Sequence, residues 1–461
     1  MHPTSLLKAI STCPSALSDN GVAHSFTFLS QTNHDMRVLI VNTSEKTGGA
    51  ALAANRLMTA LNDNGIKARM LVRDKETDNV NVIGLKSSWL QMWHFLWERW
   101  CVFLHLHLSR QHLFDIDIAN TGNDITSLDI FNEADIIHLS WVNQGMLSLA
   151  DIRKILRSGK PVVWTMHDIW PATAICHLAL DCQRFTDHCR YCPYLPKGGS
   201  IRDLSYRIWQ HKAAVYARGN LTFVGCSEWL SAQARQSALL AGHNVVSIPN
   251  PIDTRIFRSY DKTAARRRLG LPEDAAVKLV LFVAQRITNV NKGMQYLIDA
   301  CHILTQRNDD FAKRTAIVIL GGHADAFEQA FDLPVYALGY TSDTRKIVDI
   351  YNAVDAFVLP SLSENLPNTI MEAMACGVPC IGFRVGGIPE MIDHRNTGYV
   401  ARFRDAEDLA EGIRWVLMQA DTESLAQASR RKVAQQYSQS AVATRYIEVY
   451  NEALRRNPSR L

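Results

Sequence analysis

Residues 355–390 constrain the fold more than any other part of the chain. They read DAFVLPSLSENLPNTIMEAMACGVPCIGFRVGGIPE. The run 356–359 is apolar and bounded by turn residues, the pattern of a short buried strand. Pro367 suits a first helical turn, where its missing N–H would have no intrahelical partner. Ile370, Met371, Met374 and Ala375 recur at helical spacing, and Gly377 closes the helix. A second apolar run, 378–383, ends at Gly386, Gly387 and Pro389. Strand, loop, helix and strand in succession make a βαβ unit, which predicts a parallel sheet with helices on its faces.

Two carboxylates mark this unit. Glu364 falls in the loop at the carboxyl end of the first strand, and Glu372 on the helix beyond it. Ligands of open α/β sheets bind at that edge, and a helix N-terminus there favours phosphate. Taken singly, each glutamate is more often a solvated surface charge. The whole string is more specific: S-x-x-E-x-x-P-x-x-x-x-E-A-x-A-x-G-x-P, followed by G-G-x-x-E. It resembles the donor-site signature of retaining glycosyltransferases of family 4, and the spacing from Glu364 to Glu372 matches their E-x7-E pattern. The resemblance implies an α/β chain of GT-B fold, two Rossmann-like parallel-sheet domains facing across a cleft.

The rest of the chain is consistent with two such domains. Of its 461 residues, 47% are hydrophobic and 20% charged, an ordinary globular composition. A net charge of +4 is too weak to argue for nucleic acid, and no apolar run approaches the roughly 20 residues of a spanning helix. Residues 1–35 lack periodicity and the layout of a secretion signal; they are expected to be a disordered extension, or to reflect a start placed too early, with Met36 as the working start. Strands are predicted at 36–42 and 68–72. After the first comes Gly48-Gly49, where the backbone can approach a phosphate ahead of a helix over 51–61; a plain tight turn is the alternative.

Strands at 135–140 and 161–166 follow, the second ending in His167-Asp168. His138 reads as a core or cleft-wall residue. The strand at 277–284 opens the second domain, and Arg286 and Lys292-Gly293 follow it in one loop. This resembles the family's G-R-x5-K-G, with Gln285 in place of the first glycine. The hinge reads Pro249-Asn250-Pro251-Ile252-Asp253, where the family has N-G-V-D; Pro251 stiffens it. The expected domains are thus 36–250 and 251–437, with a terminal helix over 438–461 that crosses back in GT-B folds.

Two stretches fall outside the sheet pattern. Cys176, Cys182, Cys189 and Cys192 cluster within a short insert, with His177 and His188 among them. Four thiols with one C-x-x-C pair suit a tetrahedral structural zinc; free or redox-paired thiols are the second reading, a catalytic metal the third. The insert, placed just after His167-Asp168, resembles that of exopolysaccharide glycosyltransferases of the colanic-acid type, although Ala174-Ile175 departs from their pattern. The other stretch, 88–108, carries Trp89, Trp93, Trp97 and Trp100 at mostly helical spacing, interrupted by Glu98 and Arg99. It reads either as a domain helix with a broad buried face or as a helix lying in a membrane interface. Asp115-Ile-Asp117 has the form of a metal-binding D-x-D, but nothing around it supports one.

Resemblance then implies a function. The chain would transfer a hexosyl group from a nucleotide-sugar to a hydroxyl of a saccharide or lipid-linked saccharide acceptor, with retained configuration. Arg286 and Lys292 would hold the diphosphate, Glu372 the ribose and Glu364 the donor sugar. Asn365 and Leu366 would offer backbone N–H groups to phosphate, and His167 would face the reacting centre. No catalytic metal is expected. The protein would be cytoplasmic, or peripheral on the inner membrane face, in surface or exopolysaccharide biosynthesis. The rival readings are a GT-B epimerase or phosphorylase, and a catalytically inert sugar-nucleotide-binding or scaffold subunit.

Overall fold

The computed structural model describes residues 36–456, except Ser87, Arg218 and residues 307–309; the expected N-terminal extension lies outside the described residues. Seven strands form the first sheet: β1 (Arg37–Ser44), β2 (Lys67–Asp74), β3 (Val82–Gly84), β4 (Ile136–Leu139), β5 (Val162–Met166), β6 (Leu221–Gly225) and β7 (Asn244–Ser247). Six form the second: β8 (Lys278–Arg286), β9 (Thr315–Gly322), β10 (Val335–Ala337), β11 (Ala356–Leu359), β12 (Cys380–Phe383) and β13 (Gly398–Ala401). Their orders are β3-β2-β1-β4-β5-β6-β7 and β10-β9-β8-β11-β12-β13. Every pairing is parallel. This is the GT-B arrangement of two α/β domains.

Burial on both faces explains the composition of the strands: β5, β6, β11 and β12 leave no residue exposed. In each sheet the strand order reverses once, beside β1 in the first and beside β8 in the second. A crevice opens outside the carboxyl ends of strands at such a point. The loops that leave β1, β5, β8 and β11 therefore hold the residues of interest.

Helix α1 (Gly49–Asp63) follows β1 and is entered through Gly48 at φ 93, a conformation that favours glycine. The last helix, α5 (Gln439–Arg455), returns to the first domain, where Val442, Tyr446 and Tyr450 join Val38, Leu57 and Leu61 in one core. Two chain segments cross between the domains side by side. Ile252 N donates to Tyr437 O, and Gln439 N to Ile252 O.

Three local expectations shift. β8 runs on to Arg286 past an irregularity between Val283 and Arg286, so this arginine stands at a strand end and not in the following loop. Pro367 is the cap of helix α4 (Asn368–Ala375), not its first turn. The helix α2 (Ser88–His105) is turned inside out. Its buried residues include Gln91, Glu98 and Arg99, while its four tryptophans are exposed. The reason is the return segment, whose carbonyls need donors: Arg99 Nη1 donates to Leu113 O at 2.6 Å and Ile116 O at 3.0 Å. Its Nη2 reaches Asp117 at 3.2 Å. The D-x-D is thus a structural feature, with Asp117 wholly buried and Asp115 paired to His112 at 2.7 Å.

Candidate functional site

On the C-terminal side, the loop after β11 carries Glu364. It is ion-paired to Lys292 and accepts from Ser361 Oγ at 3.1 Å. Lys292 ends a short turn, Val290–Lys292, and Gly293 follows at φ 73. A Cβ on Gly293 would come within 1.8 Å of Pro360 O. Only glycine lets the lysine loop lie this close to the glutamate loop, and Leu362 N pins the two by donating to Asn291 O at 2.8 Å. Arg286 is exposed, and its guanidinium makes no ion pair with a described residue.

Glu372 sits on α4, pointing toward the first domain. Arg56 of α1 pairs with it at 2.6 Å, and Tyr351 OH donates to it at 3.1 Å. A carboxylate offers about four lone-pair sites, so Glu372 still has capacity for a ribose hydroxyl. The Arg56 guanidinium also lies over the Phe257 ring, and its Nη1 is buried without a partner. Nothing in the sequence marks Arg56 or Tyr351. Arg56 occupies an ordinary helical position, and its contact appears only when the two domains meet.

The domains touch along this same edge. Asn365 reaches across it: its Nδ2 donates to His167 O at 3.0 Å and lies 2.9 Å from Cys226 Sγ, and its Oδ1 accepts from Ser227 Oγ at 2.5 Å. Glu390 accepts from the backbone N–H groups of Glu228 at 2.8 Å and Trp229 at 2.5 Å. These open helix α3 (Glu228–Arg235), where a carboxylate favours the helix dipole. Asn368 Nδ2 donates to Gly49 O at 3.2 Å, which sets the Gly48-Gly49 turn against the N-terminus of α4. Leu366 is buried beside them. Glu364, Lys292, Asn365, Glu372, Gly48-Gly49 and His167 therefore lie along one interdomain seam.

His167 follows β5, with Ser140 Oγ 3.0 Å from its Nε2. Burial pushes its pKa down to about 4, so the imidazole is neutral at pH 7. Its neighbour Asp168 serves a different histidine. Asp168 accepts from Trp141 Nε1 and Trp170 N, each at 2.9 Å, and pairs with His177 at 2.8 Å. Burial works against the charged form of His177, but the Asp168 carboxylate outweighs it and raises the pKa above the usual value. His177 is the residue that the Cys-rich pattern around it obscured. His138 is a core histidine: its Nδ1 is 2.6 Å from Tyr450 OH and its Nε2 3.0 Å from Thr165 Oγ1, and burial pushes it down to about 3.

Cys176, Cys182, Cys189 and Cys192 line one cavity with Phe185 and Tyr194. Burial raises the Cys176 thiol well above its ordinary value and pushes Cys189 to about 11 and Cys192 to about 12. These three are neutral thiols in an apolar lining. Among the described residues, no three His, Cys, Asp or Glu side chains are placed to hold a metal ion. The donor set suits zinc, and the four cysteines share one cavity without closing on a common point.

Residues 277–419 match the family model described as Glycosyl transferases group 1. The match takes in β8 to β13, including Arg286, Lys292, Glu364 and Glu372. A D-inositol 3-phosphate glycosyltransferase of Saccharomonospora viridis is 30% identical over 214 residues, 44% of this chain and 49% of the relative. An N-acetyl-alpha-D-glucosaminyl L-malate synthase of Bacillus anthracis is 26% identical over 219 residues, 46% of this chain and 55% of the relative. The chain spans about half the length of these curated relatives. Among solved structures, a sucrose-phosphate synthase from Thermosynechococcus elongatus superposes with a TM-score of 0.64 at 17% identity, over 91% of this chain and 99% of that one. Anabaena HepE, solved in complex with UDP, gives 0.58 at 15% identity, over 90% of this chain and 100% of that one. At such identities these two similarities speak to the fold.

Proposed function

We propose that the protein is a retaining glycosyltransferase of family 4 type. It moves a hexosyl group from a nucleotide-sugar to a hydroxyl of a lipid-linked saccharide in surface or exopolysaccharide assembly. One observation carries this reading: the Lys292–Glu364 pair and Glu372 stand at the carboxyl edge of the second sheet, along the seam where Asn365 meets the His167 turn. Arg286 and Lys292 hold the diphosphate and neutralise it as it leaves. Glu372 takes the ribose hydroxyls, with Arg56 beside it offering its free N–H. Glu364, oriented by Lys292 and Ser361, takes the donor sugar. The N–H groups of Asn365 and Leu366 and the Gly48-Gly49 turn approach the phosphates. Neutral His167 hydrogen-bonds a hydroxyl at the reacting centre.

The acceptor oxygen attacks the anomeric carbon on the face from which the phosphate departs. The bond from that carbon to the phosphate oxygen breaks, and the acceptor proton passes to the departing oxygen. The protein contributes position and charge stabilisation. A structural zinc on the four cysteines is a separate proposal: convergence of four thiols on one cavity supports it, and it requires them to close in and release protons. Less than one zinc per freshly purified chain overturns it.

The test of transfer is a panel of nucleotide-sugars, UDP-sugars first because Anabaena HepE was solved with UDP-glucose. One donor is expected to raise the melting temperature and to be hydrolysed slowly without acceptor. Binding with no hydrolysis points to the inert subunit instead, and neither effect with any donor overturns the reading. The names of the curated relatives bring in small polar acceptors as a second reading. Turnover with an inositol phosphate or malate in place of a saccharide would support it.

A further inference from the structure

Helix α2 presents an unusual outer surface. Trp89, Met92, Trp93, Leu96, Trp97 and Trp100 are all exposed, Trp89 to 76%. Steps of three and four residues put them on one face. Trp93 and Trp97 stack on each other at 5.6 Å, so the face is ordered while facing outward. Leu104 near the helix end, and Leu108 and Phe114 beyond it, are exposed as well. Rings of this size make a patch on the order of several hundred Å², at the scale where an exposed apolar patch marks an interaction surface.

Charge decides what covers it. Between residues 86 and 114 the exposed formal charges are Lys86 and Arg110, one beyond each end of the helix and both positive. The one acid in that span, Glu98, is turned inward. Burial, and then the Asp117 carboxylate beside it, push its pKa well above the usual carboxylate range. Asp115, the next acid, is engaged by His112. Tryptophan with cationic flanks suits the boundary between headgroups and acyl chains of an anionic bilayer. No described helix is long and apolar enough to cross a membrane, so the fitting geometry is a helix lying in the interface plane. The inner face fixes where such a surface would hold the protein. Arg99 binds Asp117, and Asp117 O accepts from Trp170 Nε1 at 2.9 Å, two residues past the Asp168 that follows His167. Helix α2 is therefore joined to the His167 turn through Asp117 and Trp170.

We propose that the outward face of α2 is a peripheral docking surface for an anionic lipid bilayer. This rests on α2 and its contacts, not on the sugar-transfer reading, and its test needs no activity. The full chain is sedimented at low salt with equimolar phosphatidylglycerol–phosphatidylcholine vesicles and with phosphatidylcholine vesicles alone. Pelleting is expected with the mixed vesicles, with a loss of about tenfold or more in Trp93→Ser/Trp97→Ser, since each substitution removes a ring from the bilayer boundary. Lys86→Gln and Arg110→Gln are each expected to weaken binding about fivefold, and salt to abolish the difference. Quenching of wild-type tryptophan emission by vesicles with brominated acyl chains gives a readout that depends on no variant. Absence of both pelleting and quenching overturns the proposal, as does unchanged pelleting by a folded Trp93→Ser/Trp97→Ser chain. A dimer in sedimentation velocity that the same substitutions dissociate would assign the face to a second copy of the chain, and so overturn it too.

Discussion

The molecule contains two charged clusters built from the same residue types. One, Glu98–Arg99–Asp117, lies under α2; the other, Lys292–Glu364 with Arg56–Glu372, lies along the interdomain seam. In the first, the groups are almost wholly buried, and the surrounding backbone supplies most of their partners, with Glu98 Oε2 and Arg99 Nε left unpaired. Asp117 accepts from Gln144 N and Ala119 N, Glu98 from Ala119 N, and Arg99 gives to two loop carbonyls. In the second, each carboxylate retains unused acceptor sites, Arg56 retains an unpaired N–H, and the nearby strand end carries Arg286, whose guanidinium makes no ion pair with a described residue. A cluster whose bonds are made by its own chain holds a loop in place. Both clusters leave polar atoms unpaired, but only the second does so at a strand-end crevice, where a ligand can reach them. Mutations in the two should therefore separate cleanly into stability effects and kinetic effects.

The largest effect is expected in the buried cluster. Arg99→Ala leaves Asp117 buried without its counter-charge, which costs about 3–5 kcal/mol. Chemical denaturation should show this as a lower midpoint, while KM for the donor in the folded fraction stays unchanged. Lys292→Ala should do the converse. Its ion pair is partly exposed and contributes little stability, but kcat should fall by about 100- to 1,000-fold, the value of one charge-stabilising donor. KM should move far less, because leaving-group charge grows in the transition state. Glu372→Gln should weaken donor binding by about 1.5–3 kcal/mol, the worth of hydrogen bonds to a charged group, measurable by calorimetry.

A smaller effect concerns pH. His138 has a depressed pKa in the folded chain, so its contribution is present above the unfolded value near 6.5 and is lost as pH falls toward 3. The loss at pH 5 is about 2 kcal/mol. His167, depressed to about 4, acts in the same direction. His177 is raised, so what it adds is complete below pH 6.5 and declines only above it. Denaturation midpoints across pH 5–7 should fall on the acid side in wild type and fall less in His138→Gln.

Strands β1, β2, β4, β5, β8, β11 and β12 are legible because buried parallel strands are short apolar runs ended by glycine, proline or polar turns. The 355–390 unit was clearest, since strand, cap, apolar helical face and closing glycine all agree there. β3 was not, because its three residues are too few to show a period. The reversal of α2 was hidden for a physical reason. Periodicity shows that a helix has two faces, but which face turns inward depended on loop carbonyls near Leu113 and Ile116 that Arg99 satisfies. The same holds for Arg56 and for the side chain of Asn365. Their partners come from the other domain, more than a hundred residues away, and local pattern carries no trace of them. His177 is masked in the sequence by the cysteines around it, which offer a simpler account of the same stretch.

The direct test of the central claim, that two cations at the edge of the second sheet grip a diphosphate, is titration calorimetry with the nucleoside diphosphate of whichever donor the panel identifies. This product carries the full leaving-group charge. Wild type is expected to bind it, and Arg286→Ala/Lys292→Ala to lose about 100-fold in affinity or more while keeping its melting temperature. Equal affinity in a folded double variant would contradict the account.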